Sequence, residues 1–200
     1  MTADPVPDID SVAGISGHTG RLILTPGDPR AAPNRDLVLE ALAETAVIGP
    51  PLAGCADAYA AGEGLLGLIS FAGCAVAVEL DPSSGGACCH VRVPPVLDQS
   101  ELRYGRNTRP PRCAGCRAAL TDWRERLDHW RGQPHVGVVC PGCGEIRPPW
   151  RWDWKARGGF GRLFILVEEV FPGEATPTPS LLERLTAASG TGWRHFYVQD

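Results

Sequence analysis

Residues 112–146 read RCAGCRAALTDWRERLDHWRGQPHVGVVCPGCGEI, two Cys-x-x-Cys pairs framing an amphipathic segment and a hydrophobic run. The pairs, Cys113/Cys116 and Cys140/Cys143, stand 23 residues apart. A tetrahedral Zn2+ takes four thiolates at about 2.3 Å, and each Cys-x-x-Cys turn supplies two of them from one loop. Gly115 and Gly142 lie between the sulfurs and Gly144 follows the last, so the backbone can fold tightly there. The interval exceeds the usual spacing of about 15–20 residues. Leu120, Trp123, Leu127 and Trp130 use the excess, falling at helical spacing with Thr121 as a cap and Gly132 beyond them. A short helix and then a strand, HVGVVC, are expected between the two pairs.

Four cysteines close the coordination shell, whereas a catalytic zinc keeps a position open for water. The expected metal is therefore a structural Zn2+ held by Cys113, Cys116, Cys140 and Cys143. His129 and His135 find no vacancy there and read as ordinary surface or core histidines. Cys88-Cys89-His90 has no partner pair to complete a second site, and a buried free cysteine acts as a small hydrophobe.

Outward from this segment the chain is ordinary for a soluble protein, 44% hydrophobic and 21% charged over 200 residues, enough for one domain with an insert. Lys155 is the sole lysine, a bias that suggests a GC-rich bacterial genome. The acidic start MTADPVPDIDSVAGISGHTG is no signal peptide, and no run approaches a membrane span, so a cytoplasmic protein is expected. Charge is divided unevenly. Residues 101–162 hold 13 basic and 6 acidic side chains, and the rest of the chain 6 and 17. A basic segment on an acidic host is expected either of a nucleic-acid face or of an insert docked on its own carrier.

Residues 1–20 read as a disordered tail. A strand follows at Arg21–Thr25, then a helix capped by Asn34 and stopped by Gly49-Pro50-Pro51. Residues 52–64 read as loop, with a turn of helix in CADAYAAGEG, and LLGLISFAGCAVAVELDP as a strand or hairpin. His90–Val93 is a short strand after an SSGG turn. FGRLFILVEEVF is one buried strand, and TPSLLERLTAASG a helix capped by Thr178 or by a Ser180/Glu183 box, with Gly190 at its end. WRHFYVQ alternates as a strand. Strand–helix–strand on either side of a cysteine insert predicts an α+β fold, a ferredoxin-like or related two-layer sandwich. The host would comprise residues 21–109 and 158–200, and the inserted zinc ribbon residues 110–157.

RPPWRWDWKARGGFGR puts Trp150, Trp152 and Trp154 on one face of an extended strand, with Arg151, Asp153 and Lys155 on the other. Such rings either pack the insert against its host or, with Arg151, form a contact surface for a partner. Trp and Arg suit a protein interface, and aromatics with basic residues suit unpaired bases. The P-loop, dinucleotide, zinc-protease and nucleophile-elbow motifs are absent, and CPGC lacks the His-x-Glu of a deaminase. Glu168-Glu169 reads as a solvated edge.

The knuckles CAGC and CPGCG resemble those of zinc ribbons, whose metal is mostly structural and some of which bind nucleic acid or protein. Over residues 110–200 the order of knuckle, tryptophan-bearing helix, knuckle, GGFGRLF strand and LLERLTAASGTGWRHFYV unit is similar to a set of uncharacterised, actinobacterial-like proteins. Taken together, the residues lead to the expectation of a non-enzymatic zinc-ribbon binding or adaptor protein whose partner is another protein. A nucleic-acid-binding protein is the alternative, and an enzyme without a recognisable motif the third.

Overall fold

The computed structural model of the chain describes residues 20–71, 78–81, 87–133, 135–170 and 175–199, without the side chains of residues 128, 131 and 132. The expected tail, the Ala72-Gly73 break and the SSGG turn lie outside these residues, apart from Gly20.

Among the described residues the main sheet has six strands: β1 (Arg21–Pro26), β2 (Ile48–Pro51), β3 (Ala58–Ala61), β5 (His90–Arg92), β10 (Ile165–Glu168) and β12 (Trp193–Val198). Their order is β12-β1-β10-β5-β3-β2, with every neighbouring pair antiparallel. Helices α1 (Arg35–Glu44) and α4 (Pro179–Ser189) cover one face, in an α+β arrangement. Leu22, Leu24, Val91, Ile165 and Val167 pack there against Val38, Leu42, Leu181 and Leu185. The alternate residues Ile23, Leu166, Phe196 and Val198 pack on the opposite face with Phe164.

Local chemistry sets the helix ends. Asn34 Oδ1 accepts from Asp36 N–H at 2.8 Å, and Thr178 Oγ1 from Leu181 N–H at 3.4 Å, so the Thr178 cap prevails over the Ser180/Glu183 box. Gly190 ends α4 with φ +69, a conformation open to glycine at little cost.

Several expectations are corrected. Residues 58–61 form a strand, not a loop or helical turn, because Tyr59 and Ala61 pack on the helix-covered core while Ala58–Ala60 pair with β5. Gly49-Pro50-Pro51 belongs to the edge strand β2, and α1 already stops at Glu44. LLGLISF divides into a helical turn, α2 (Leu65–Leu68), and β4 (Ile69–Phe71), which pairs with β11 (Ala175–Pro177). The expected strand at FGRLFILVEEVF is two. β9 (Gly158–Gly161) leaves the main sheet to pair with β6 (Glu101–Tyr104), and β10 begins after a break at which Thr25 Oγ1 donates to Leu163 O at 2.9 Å. Glu168 is no solvated edge. It is 8% exposed and sits directly across from Arg21, with Arg21 Nε at 3.1 Å and Arg92 Nη1 at 3.8 Å from its carboxylate.

β9 lies close across the sheet face opposite the helices because it is nearly all glycine. A Cβ on Gly159 would stand 2.7 Å from Phe196 Cε1, and one on Gly161 would run into Thr25 Oγ1. In the main core, Leu185 is fully buried between α4 and the sheet. Leu185→Ala is expected to lower unfolding free energy by about 2–5 kcal/mol. Urea unfolding of the two proteins measures it, and a loss below about 1 kcal/mol would contradict this packing.

Candidate metal centre

The two knuckles repeat one backbone pattern. In the first, Cys113 N–H donates to Ala118 O at 2.8 Å and Arg117 N–H to Cys113 O at 3.0 Å. In the second, Cys140 N–H donates to Glu145 O at 2.9 Å and Gly144 N–H to Cys140 O at 3.0 Å. The fourth residue after the leading cysteine is left-handed in both, with φ +67 at Arg117 and +73 at Gly144. Glycine accepts that conformation freely, while arginine does so at a cost of roughly 1–2 kcal/mol. Sequence reasoning marked Gly144 and missed Arg117, which no residue type signals.

Each knuckle is held from outside. Arg112 exchanges both backbone hydrogen bonds with Asp153, at 3.0 and 2.9 Å. The Asp153 carboxylate also meets Arg117 at 2.9 Å and Lys155 at 3.1 Å. Burial acts to raise the pKa of Asp153, but the Lys155 N–H and the two cations hold it at about 2. The second knuckle is carried by the hairpin of β7 (Val138–Val139) and β8 (Ile146–Arg147).

These supports bring the four Sγ atoms within 4.8 Å of one another. Cys113 Sγ lies 3.9 Å from Cys143 Sγ and Cys116 Sγ 3.5 Å from Cys140 Sγ. Four sulfurs about 2.3 Å from a common tetrahedral centre would stand about 3.8 Å apart. A disulfide needs about 2.05 Å, so these sulfurs are not bonded in pairs. The cluster can therefore hold a metal ion. Cys113 and Cys140 are buried, while Cys116 and Cys143 reach the surface.

Local dipoles favour thiolate at the leading cysteines. The N–H groups of Cys116 and Gly115 lower the Cys113 pKa to about 6, and those of Cys143 and Gly142 lower that of Cys140. At Cys143 the Glu145 N–H acts the same way, yet the neighbouring sulfurs of Cys116, Cys140 and Cys113 outweigh it and push the thiol up to about 12. A cation bound among the four sulfurs would favour the thiolate form of each.

Beneath the knuckles lies an aromatic layer. Trp123, Trp130, Trp152, Trp154 and Phe160 are buried in one cluster with Cys113, Cys140, Leu120 and Val138. Edge-to-face contacts link Tyr104 to Trp123 and Trp123 to Trp154 at 5.4 Å, and Trp154 to Phe160 at 5.9 Å. Trp154 Nε1 donates to Pro149 O at 3.0 Å.

Trp150, Trp152 and Trp154 do not form the expected strand face. Pro148 and Pro149 open a 3₁₀ turn at Pro149–Arg151, which separates Trp150 from the other two. Trp152 and Trp154 are 3% and 5% exposed and present no free face, whereas Trp150 is half-buried and Arg151 exposed. The expected helix from Thr121 is confined to α3 (Leu127–Gly132), because residues 122–127 close with i→i−3 bonds such as Glu125 N–H to Asp122 O. Its apolar spacing still serves, with Leu120, Trp123 and Trp130 buried and Leu127 packed against them.

His129 and His135 are exposed and outside the cluster. Cys88 and Cys89 are buried, and burial pushes the Cys89 thiol up to about 12, as expected of an inert core cysteine. His90 is spent locally, its Nδ1 2.9 Å from Cys88 O. Comparison of the chain with protein-family models, with curated proteins and with solved structures finds no match.

A Cβ on Gly142 would stand 2.7 Å from Ala118 Cβ and 3.1 Å from Cys116 Sγ, across the gap between the knuckles. Gly142→Ala is expected to weaken metal affinity by about tenfold or more, measured by competition against a chromophoric chelator. Unchanged affinity would show that the knuckles do not close on a common ion.

Proposed function

We infer that Cys113, Cys116, Cys140 and Cys143 bind one Zn2+ whose role is structural, and that the protein is a non-enzymatic binding or adaptor protein. The four-sulfur cluster carries this reading, since its edges suit a tetrahedral ion and a complete thiolate shell leaves no position for a substrate or an activated water. Tetrahedral sulfur sites also suit iron, and elemental analysis separates the two. Residues 110–157 are read as an inserted zinc ribbon, although its aromatic core also draws on Leu102 and Phe160. The strand order β12-β1-β10-β5, with α1 following β1 and α4 preceding β12, supports a ferredoxin-like host.

The partner is taken to be another protein. Trp150 and Arg151 line an open groove of about 570 Å³ with Gly27, Asp28, Pro29, Arg30 and Pro148. Trp and Arg are both enriched at interface hot spots. A nucleic-acid partner has less support, because the rings of Trp152 and Trp154 are already packed and offer no stacking platform.

If zinc only holds shape, chelation should loosen the aromatic layer and leave the helix-covered sheet intact. Tryptophan emission is then expected to shift to the red, since five of the six tryptophans lie between residues 123 and 154. Leu181 and Leu185 amides in α4 should keep their hydrogen-exchange protection. Loss of protection in α4 at the same chelator concentration would contradict the modular reading. For the partner, affinity capture with wild type and with Trp150→Ala/Arg151→Glu should give bands that only wild type retains. An unchanged set of bands would remove this surface.

A further inference from the structure

Where the end of β12 meets the loops at residues 105–109 and 154–157, a pocket of about 380 Å³ is lined by Arg106, Asn107, Arg109, Arg157 and Gln199. Among the described residues, none of those lining it is acidic. The described ion pairs engage other arginines, namely Arg21, Arg30, Arg35, Arg92, Arg117, Arg126 and Arg147. Arg106, Arg109 and Arg157 are exposed at the pocket, three guanidinium groups from two separate loops.

The loops that carry them are fixed. Asn107 Nδ2 donates to Tyr197 O at 3.2 Å and its Oδ1 accepts from Gln199 N–H at 3.1 Å. Arg106 N–H donates to Gln199 O at 2.7 Å. A side chain at Gly105 would collide with Gln199 O, so the close approach needs glycine. Thr108 Oγ1 accepts from Gly105 N–H at 3.0 Å and donates to Arg157 O, tying the two loops to each other. On the other side Tyr197 N–H donates to Ala156 O at 3.0 Å. Lys155 and Ala156, directly before Arg157, are both left-handed with φ +56 and +52. Two successive non-glycine residues in that region are strained, and such strain persists only where the surroundings enforce it.

Three arginines are thus gathered on a braced frame, with no described ion pair to any of them. A planar guanidinium offers paired N–H donors that match the oxygens of phosphate, and several together favour a doubly charged oxyanion over a carboxylate. The volume falls within the range of about 300–1,000 Å³ typical of small-ligand sites, larger than a phosphate group alone. We propose that Arg106, Arg109 and Arg157 form a binding site for the phosphate group of a small phosphorylated ligand. One pocket, rather than a basic track with free aromatic rings, favours a single phosphate group over a nucleic-acid backbone.

Calorimetric titration of the full-length, metal-loaded protein with inorganic phosphate and with pyrophosphate, in low-salt chloride buffer, tests the site. Wild type is expected to bind both, pyrophosphate the more tightly, and Arg106→Gln/Arg109→Gln/Arg157→Gln to bind about tenfold or more weakly. Arg30→Gln/Arg151→Gln, which alters two exposed arginines of the other groove, should bind as wild type does. Circular dichroism and thermal melts establish that both variants are folded. Absence of binding by wild type at millimolar anion, or equal weakening in the two variants, would overturn the proposal. So would displacement of phosphate by a single-stranded oligonucleotide of about ten nucleotides that binds more tightly and with steep salt dependence.

Discussion

Four thiols held within 4.8 Å of one another are the constraint on which residues 101–162 are organised. Backbone N–H groups favour charge at Cys113 and Cys140, while the crowding drives the Cys143 thiol up to about 12. A proton on Cys143 beside a thiolate at Cys113 satisfies both tendencies without metal, and a divalent cation among the sulfurs would favour the thiolate at all four. The identical hydrogen-bond pattern of the two knuckles, kept even where Arg117 must adopt a left-handed backbone, indicates how closely the pair must match to present four sulfurs to one point.

The influence of that point reaches the sheet through rings rather than aliphatic side chains. Cys113 and Cys140 share a cluster with Trp123, Trp130, Trp152 and Trp154, which meets Phe160 on β9. β9 in turn rests on Phe196 and Thr25 through glycines that permit contact at backbone distance. A segment with few aliphatic residues is thereby given an interior. Of the three alternating tryptophans, Trp150 alone retains access to solvent, beside the exposed Arg151 at a groove shared with Gly27–Arg30.

Features governed by local chemistry were legible in the sequence. Asn34 and Thr178 cap their helices, Gly190 ends α4, and the alternation of WRHFYVQ places Trp193 and Tyr197 on the helix-covered face and Phe196 opposite. The cysteine spacing brought four sulfurs together as anticipated. Features governed by distant partners were not legible. Ala58–Ala61 has a loop-like composition and becomes a strand because β5 offers it a ladder. The alternating tryptophans suggested extension, but Pro148-Pro149 turned the chain and the knuckle core took up Trp152 and Trp154. Glu168 looked solvated until Arg21 and Arg92 were placed beside it from other strands. The pocket of Arg106, Arg109 and Arg157 likewise comes from loops about fifty residues apart, joined by Thr108 and Asn107.

The most direct test of the central claim is X-ray absorption at the zinc K-edge of the purified protein, with metal content measured on the same sample. The account predicts one zinc per chain with a first shell of four sulfurs at about 2.3 Å and no nitrogen or oxygen neighbour. A shell containing nitrogen or oxygen, a different metal, or a metal-free protein whose cysteines are joined as disulfides would contradict it.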